Sequence, residues 1–168
     1  MNNKLIFRTG IGYDVHPIVK GRRLFLGGVE IESEYGLDGH SDADVLIHSI
    51  CDSLLGALSL GDIGAHFPNT DPRYKNISSL VLLEKVSELI HEKKFKIENI
   101  DSTIIAEQPK LLPYIELMRE KIASVLRISK EQVSIKATTN EKLGFVGRKE
   151  GIASISISLL SSEINESI

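Results

Sequence analysis

From Ile11 to His16 apolar and polar positions alternate strictly, with Ile11, Tyr13 and Val15 on one side of an extended backbone and Gly12, Asp14 and His16 on the other. The pattern predicts a strand over residues 4–16. A second apolar run over 23–31 contains Gly27 and Gly28, which predict a bulge or a close backbone approach. Ser41, followed by an acid three residues on at Asp44, predicts a helix start, with the helix running to about Ser59. Gly61, Gly64, Pro68 and Pro72 make residues 60–77 read as one long loop, a length that in compact domains is usually functional or mobile. Helical spacing returns at 79–94 through Leu82, Leu83, Val86, Leu89 and Ile90, and Lys93, Lys94 and Lys96 suit a solvated helix end. A strand is predicted at 99–107 and a helix from Pro113 to Leu126, with Ile115, Met118, Ile122 and Val125 on its inner stripe. Strands at 132–138 and 152–160 follow, the last alternating Ile155, Ile157 and Leu159 with Ser154, Ser156 and Ser158. With no repeat and no linker, residues 1–168 read as a single domain. Because the elements interleave without a strict βαβ order, the expected class is α+β: a sandwich of a mixed β-sheet with helices packed on one face.

Composition narrows the function. One cysteine, Cys51, rules out an internal disulfide framework or a cysteine-rich metal centre. A net charge of −3 argues against a nucleic-acid partner. It also means that a phosphate ligand would have to find positive charge locally, from a metal, a few basic side chains or oriented N–H groups. No apolar run approaches the length of a membrane span, and the first residues lack a signal-peptide pattern. A soluble, cytoplasmic protein is expected, or one of a plastid-type organelle if a transit peptide has been removed.

Asp14 and His16, two apart on a strand, project to one face. His48 lies on the first helix, with Asp44 and Asp52 four residues away on either side as candidates to hold its free ring N–H. Two imidazoles and a carboxylate with an open fourth position suit a catalytic zinc, whereas His48 taken alone reads more readily as a hydrogen-bonded group at the core edge. His40-Ser41 stands ahead of the helix, where backbone N–H groups favour an anion. Gly61-Asp62-Ile63-Gly64 is either a turn that holds a diol or a structural turn. Thr138-Thr139-Asn140-Glu141 offers hydroxyls and a carboxylate after a strand, and Lys110 also follows one. There is no Walker loop and no dinucleotide fingerprint; Gly10 and Gly12 read as close packing.

Several of these motifs together resemble the 2-C-methyl-D-erythritol 2,4-cyclodiphosphate synthase family of non-mevalonate isoprenoid biosynthesis. They are Gly12-Tyr13-Asp14-Val15-His16, His40-Ser41-Asp42-Ala43-Asp44, Gly61-Asp62-Ile63-Gly64, Phe67-Pro68-Asn69-Thr70-Asp71 and Lys136 to Phe145. The likeness runs from about Arg8 to Leu160. It implies a lyase that cyclises 4-diphosphocytidyl-2-C-methyl-D-erythritol 2-phosphate with loss of CMP. Asp14, His16 and His48 would be zinc ligands, and Glu141 the ligand of a second divalent cation, magnesium or manganese. His40 and Thr139 would stabilise the transition state. Ser41, Asp62, Ile63, Gly64, Phe67, Pro68, Asn69, Thr70 and Asp71 would meet the substrate. Ala106, Gln108, Pro109, Lys110, Leu111, Leu112, Ala137 and Thr138 would form the cytidine nucleotide pocket. The resemblance further implies a homotrimer with active sites between subunits, and an isoprenoid diphosphate in a central cavity lined by Phe145 and Arg148. Asn69 departs from the aspartate often found at its place in the family, keeping hydrogen-bonding capacity and losing charge. Two other functions fit some of the same residues, a zinc-dependent phosphohydrolase and a non-enzymatic trimer that binds isoprenoid diphosphates.

Overall fold

The computed structural model describes residues 3–165. In chain order these form strand β1 (Asn3–Lys20), the short strands β2 (Leu24–Leu26), β3 (Val29–Ile31) and β4 (Tyr35–Leu37), and helices α1 (Val45–Ala57), α2 (Ile63–His66) and α3 (Ser79–Glu92). Then follow β5 (Lys96–Ile105), α4 (Ile115–Leu126), β6 (Val133–Thr138), α5 (Gly144–Gly147) and β7 (Gly151–Asn165). The main sheet has five strands in the order β4-β1-β7-β5-β6, with β5 and β6 parallel and the other pairs antiparallel. Helix α1 lies on β1 and β7, α4 on β6, and α3 joins α1 to α4. This is the α+β, mixed-sheet architecture the pattern predicts, with Leu46, Ile50, Leu83, Ile100, Ile104 and Met118 fully buried between the layers.

The alternation is real, but its apolar side points away from the helices. Ser154, Ser156 and Ser158 are buried, while on the opposite face Ile11 is 67%, Phe7 54%, Tyr13 51% and Ile157 50% exposed. The cause is how closely α1 approaches. A Cβ on Gly10 would stand 2.0 Å from the Ser53 carbonyl oxygen, and one on Gly12 1.9 Å from that of Ser49. Small residues allow this approach, and Ser49 Oγ lies 2.9 Å from Ser154 Oγ and 2.7 Å from Ser156 Oγ, whereas the buried Ser158 hydroxyl has no hydrogen-bond partner.

Three local expectations need correction. Residues 23–31 hold no bulge but a hairpin, turning at Gly27 (φ +60°) and Gly28 (φ +72°), a left-handed pair that favours glycine. Both glycines are closely approached, since a Cβ would stand 2.7 Å from Met118 Cβ and 2.5 Å from Leu80 Cδ1 respectively. Ser41 does not start α1; Asp44 caps it, accepting from Ile47 N–H at 3.1 Å, while its oxygens also take the Gly27 and Gly28 N–H groups at 2.9 and 2.7 Å. Residues 60–77 are not an unbroken loop, since Asp62 caps α2 and Asp71 caps a turn at Pro72–Tyr74.

Candidate active site

Asp14 and His16 leave β1 on the α1 side, and α1 lies close enough to bring His48 to them. Asp14 Oδ2 is 3.0 Å from His16 Nε2 and 2.9 Å from His48 Nδ1, and the two ring nitrogens are 3.1 Å apart. The outward nitrogen of each ring is engaged elsewhere. His16 Nδ1 faces the Asp38 carbonyl at 2.6 Å and so carries a proton, which makes Nε2 the atom that can turn a lone pair to a metal once its own proton is displaced. His48 Nε2 faces two hydroxyls, Ser79 Oγ at 2.9 Å and Ser41 Oγ at 3.1 Å. Three potential ligand atoms thus converge from two elements, and this set fits a divalent cation in the zinc class. Asp44 and Asp52 do not hold His48, contrary to expectation. The Asp44 carboxylate is taken by the hairpin turn, and Asp52 accepts from Ile63 N–H at 2.8 Å, which ties α2 to α1.

Burial works to raise the Asp14 carboxyl, but hydrogen bonds from both imidazoles and their charge outweigh it and hold it far below the usual carboxylate range. Burial works to lower His16, yet the Asp14 bond and charge, with the Asp38 carbonyl, raise it above its ordinary value. A raised value means that the metal-free ring holds its proton to higher pH, and a metal must displace that proton. Zinc affinity is therefore expected to fall as pH drops below the raised His16 value, by roughly tenfold per unit for each proton displaced. Calorimetry in buffers of different ionisation enthalpy would register proton release on zinc uptake; an affinity flat through that drop in pH would contradict the assignment.

The triad opens into a cleft of about 250 Å³. His40, Ser41, Ile63, Gly64, Phe67 and Asn69 line it, and Gly39, Tyr74, Ile77 and Leu82 add walls that the sequence does not single out as site residues. Gly39 has a spatial reason to be glycine, because a Cβ there would stand 2.9 Å from His16 Cε1. Arg22 braces the segment, donating to the Asp38 carboxylate at 3.0 Å and to the Gly39 and Ser41 carbonyls at 2.9 Å each. Asp62, Pro68, Thr70 and Asp71 are not among the lining residues. Asp62 Oδ1 accepts from Ala65 N–H at 2.8 Å, and Asp71 pairs with Arg73.

The other expected site residues lie at the far side of the sheet. Asp14 pairs with Ser154, Ser154 with Ile104 and Ile104 with Ala137, so three strand spacings, about 14 Å, separate the triad's strand from β6. There Thr139 Oγ1 donates to Glu141 Oε1 at 2.8 Å, and Ala106 N–H donates to the Thr138 carbonyl at 2.9 Å. Ala106 and Leu111 are buried, Lys110 and Leu112 are exposed, and Gln108, after which Pro109 follows in cis, accepts from Lys149 at 3.1 Å. Phe145 lies on α5 partly exposed, and Arg148 pairs with Glu150 at 2.8 Å. None of these residues lines the triad's cleft.

Comparison with known proteins places these features in context. The model of the YgbB family matches residues 7–161. A 2-C-methyl-D-erythritol 2,4-cyclodiphosphate synthase of Agathobacter rectalis is 62% identical over 154 residues, covering 92% of this chain and 87% of the relative. The enzyme of that name from Alkaliphilus metalliredigens is 63% identical over 150 residues, covering 89% and 94%. Among solved structures, the bifunctional IspDF of Campylobacter jejuni superposes with a TM-score of 0.91 at 43% identity; the match covers 95% of this chain and 43% of that larger one. IspF of Plasmodium falciparum, solved as a CDP complex, gives a TM-score of 0.80 at 38% identity over 92% of this chain and 95% of that one.

Proposed function

The chain belongs to the YgbB family of 2-C-methyl-D-erythritol 2,4-cyclodiphosphate synthases, and on that premise we infer that it acts as a lyase of non-mevalonate isoprenoid biosynthesis. It converts 4-diphosphocytidyl-2-C-methyl-D-erythritol 2-phosphate to the 2,4-cyclodiphosphate and CMP. The observation that carries the reading is the convergence of Asp14, His16 and His48 on one point in the wall of a largely apolar cleft. In the reaction, the substrate's 2-phosphate displaces CMP from its own β-phosphate. Two anions must approach, and a flexible chain must close into a ring. Zinc at the triad and magnesium or manganese at Glu141 would supply Lewis-acid neutralisation of the phosphate oxygens.

The chain's own groups do the rest. His40 and Ser41, at the rim beside the triad, and Thr139 on the nucleotide side offer donors to phosphoryl oxygens. Holding the folded conformer replaces a random encounter with an internal one, for which effective molarities reach on the order of 10⁵–10⁸ M. Ile63, Phe67, Tyr74, Ile77 and Leu82 line the cleft with apolar surface that keeps water from competing with the internal phosphate. Asn69, an uncharged donor in that lining, can approach the substrate without adding negative charge. The other substrate contacts, Asp62, Pro68, Thr70 and Asp71, belong to the same 62–71 segment. No covalent nucleophile is required, and Cys51 is unsuited to the role, being fully buried with its thiol pushed well up by that burial. CMP release that needs a divalent cation and stops with chelator would support this reading; release unaffected by thorough metal removal would refute it.

The nucleotide pocket at residues 106–112, 137 and 138 lies too far from the triad for one chain to supply a complete site, which favours active sites shared between neighbouring copies. A homotrimer would do this while covering the apolar outer face of β1 and β7, where Leu5, Phe7, Ile11, Tyr13 and Ile157 stand exposed. Phe145 and Arg148 would then sit near its axis and hold an isoprenoid diphosphate. Sedimentation is expected at three times 18.6 kDa, and Ile157→Glu is expected to give monomers with little activity. A wild-type monomer at micromolar concentration would contradict the shared site. Among the described residues no helix is long and apolar enough to cross a membrane, and the cytoplasm suits the role.

A further inference from the structure

We propose that Ser79 and Asp42 are positioning residues for the metal: an Asp42–Ser79–His48 chain of carboxylate, hydroxyl and imidazole turns the His48 Nδ1 lone pair toward the metal position. The inference rests on the reading of Asp14, His16 and His48 as metal ligands and adds two residues that touch neither metal nor substrate.

The Asp42 carboxylate accepts twice from Ser79, from its backbone N–H at 2.9 Å and, through the other oxygen, from its hydroxyl. A serine hydroxyl has one proton, and here it is given to a group that can only accept. The Ser79 oxygen therefore presents lone pairs to His48 Nε2, 2.9 Å away. A bare ring nitrogen at that separation would be repelled, so Nε2 carries the proton and donates to Ser79. Ser41 Oγ, 3.1 Å from the same nitrogen, accepts from Ala43 N–H and offers a second acceptor. With Nε2 protonated, a neutral His48 has its free pair on Nδ1, the atom that faces Asp14 and His16. The carboxylate behind the hydroxyl polarises it and makes Nδ1 a better donor to a cation. Ser79 is fully buried, so no water can take its place.

The fold builds this chain from distant parts. Ser79 is the first residue of α3, and its N–H is one of the unsatisfied donors of a helix start, which Asp42 satisfies from 37 residues away. Asp42 N–H donates to the Ile77 carbonyl at 3.1 Å and Asn76 N–H to the His40 carbonyl at 2.8 Å. The exit of the substrate segment is therefore stitched to the strip that carries His40 and Ser41, and the stitch ends on the metal ligand.

Zinc affinity, measured by competition with a chromophoric chelator, is expected to weaken about 10–100-fold in Ser79→Ala. Ser79→Thr, which keeps the hydroxyl, is expected to restore it to within about threefold of wild type. Cobalt-substituted wild-type protein supplies a readout that needs no variant, because the paramagnetically shifted Nε2 proton of His48 is expected to exchange with water much more slowly than that of an exposed imidazole. A folded Ser79→Ala with wild-type affinity, or an Nε2 proton in the wild type that exchanges freely, would overturn the proposal while leaving the ligands in place. Failure of the wild type to take up zinc or cobalt would overturn the metal reading itself and this inference with it.

Discussion

His48→Ala is expected to yield a folded protein that holds no stoichiometric zinc and releases CMP at least about 10³-fold more slowly. Two ligands on one strand cannot complete a site that draws its third from the helix, and the lost Lewis acid is worth several kcal/mol of barrier, at about 1.4 kcal/mol for each factor of ten. The fold should survive, because α1 is anchored by Leu46, Ile47, Ile50 and Leu54, all fully buried and independent of the imidazole. Truncation at one nearly buried polar position costs about 1–2 kcal/mol against a total near 5–15 kcal/mol. Metal content, a thermal melt and CMP release, measured on one preparation, check all three parts. Full zinc occupancy in the variant would remove His48 from the site.

Gly12→Val is expected to have the largest effect on the fold. The first added carbon would stand 1.9 Å from the Ser49 carbonyl oxygen and 2.7 Å from Ser53 N, backbone atoms that cannot rotate aside. Either α1 lifts from β1 and β7 or the sheet bends, at about 3 kcal/mol or more. A lifted α1 also carries His48 away from Asp14, so variant protein that does fold should lose zinc as well. Ile11→Ala, one residue earlier on the outer face, should leave the contact of α1 with the sheet and the zinc content unchanged. A denaturant midpoint for Gly12→Val within error of wild type would contradict the packing account.

The periodic signals were the most legible. Leu82, Leu83, Val86 and Ile90 all bury one side of α3, and Met118 and Ile122 do so on α4, because a 3.6-residue repeat has one reading. The two-residue repeat separates the faces of β1 and β7 but does not say which of them meets the helices. Nothing local reveals that α1 comes so near that Gly10, Gly12 and Ser154 belong beneath it, while Ile11 and Ile157 face outward. The Asp14-His16 pair was readable from spacing, since both must share a strand face. His48 joined them through packing, which its helical spacing to Asp44 and Asp52 did not foretell. Those two acids proved to serve a hairpin turn and the α2 start, and Ser79, which does meet His48, is 31 residues away along the chain. The roles of Glu141, Thr139 and the nucleotide residues rest on resemblance, although the polar 138–141 run and Lys110 stand out by themselves; the single chain leaves them across the sheet from the triad.

The central claim is that the substrate's own phosphate, and not water, attacks in this cleft. Phosphorus NMR of the reaction mixture tests it directly. The account predicts one equivalent of CMP and a partner product whose two phosphorus atoms couple to each other as a ring diphosphate. CMP accompanied instead by two uncoupled phosphomonoester signals would mean that water opened the diphosphate, and would contradict it.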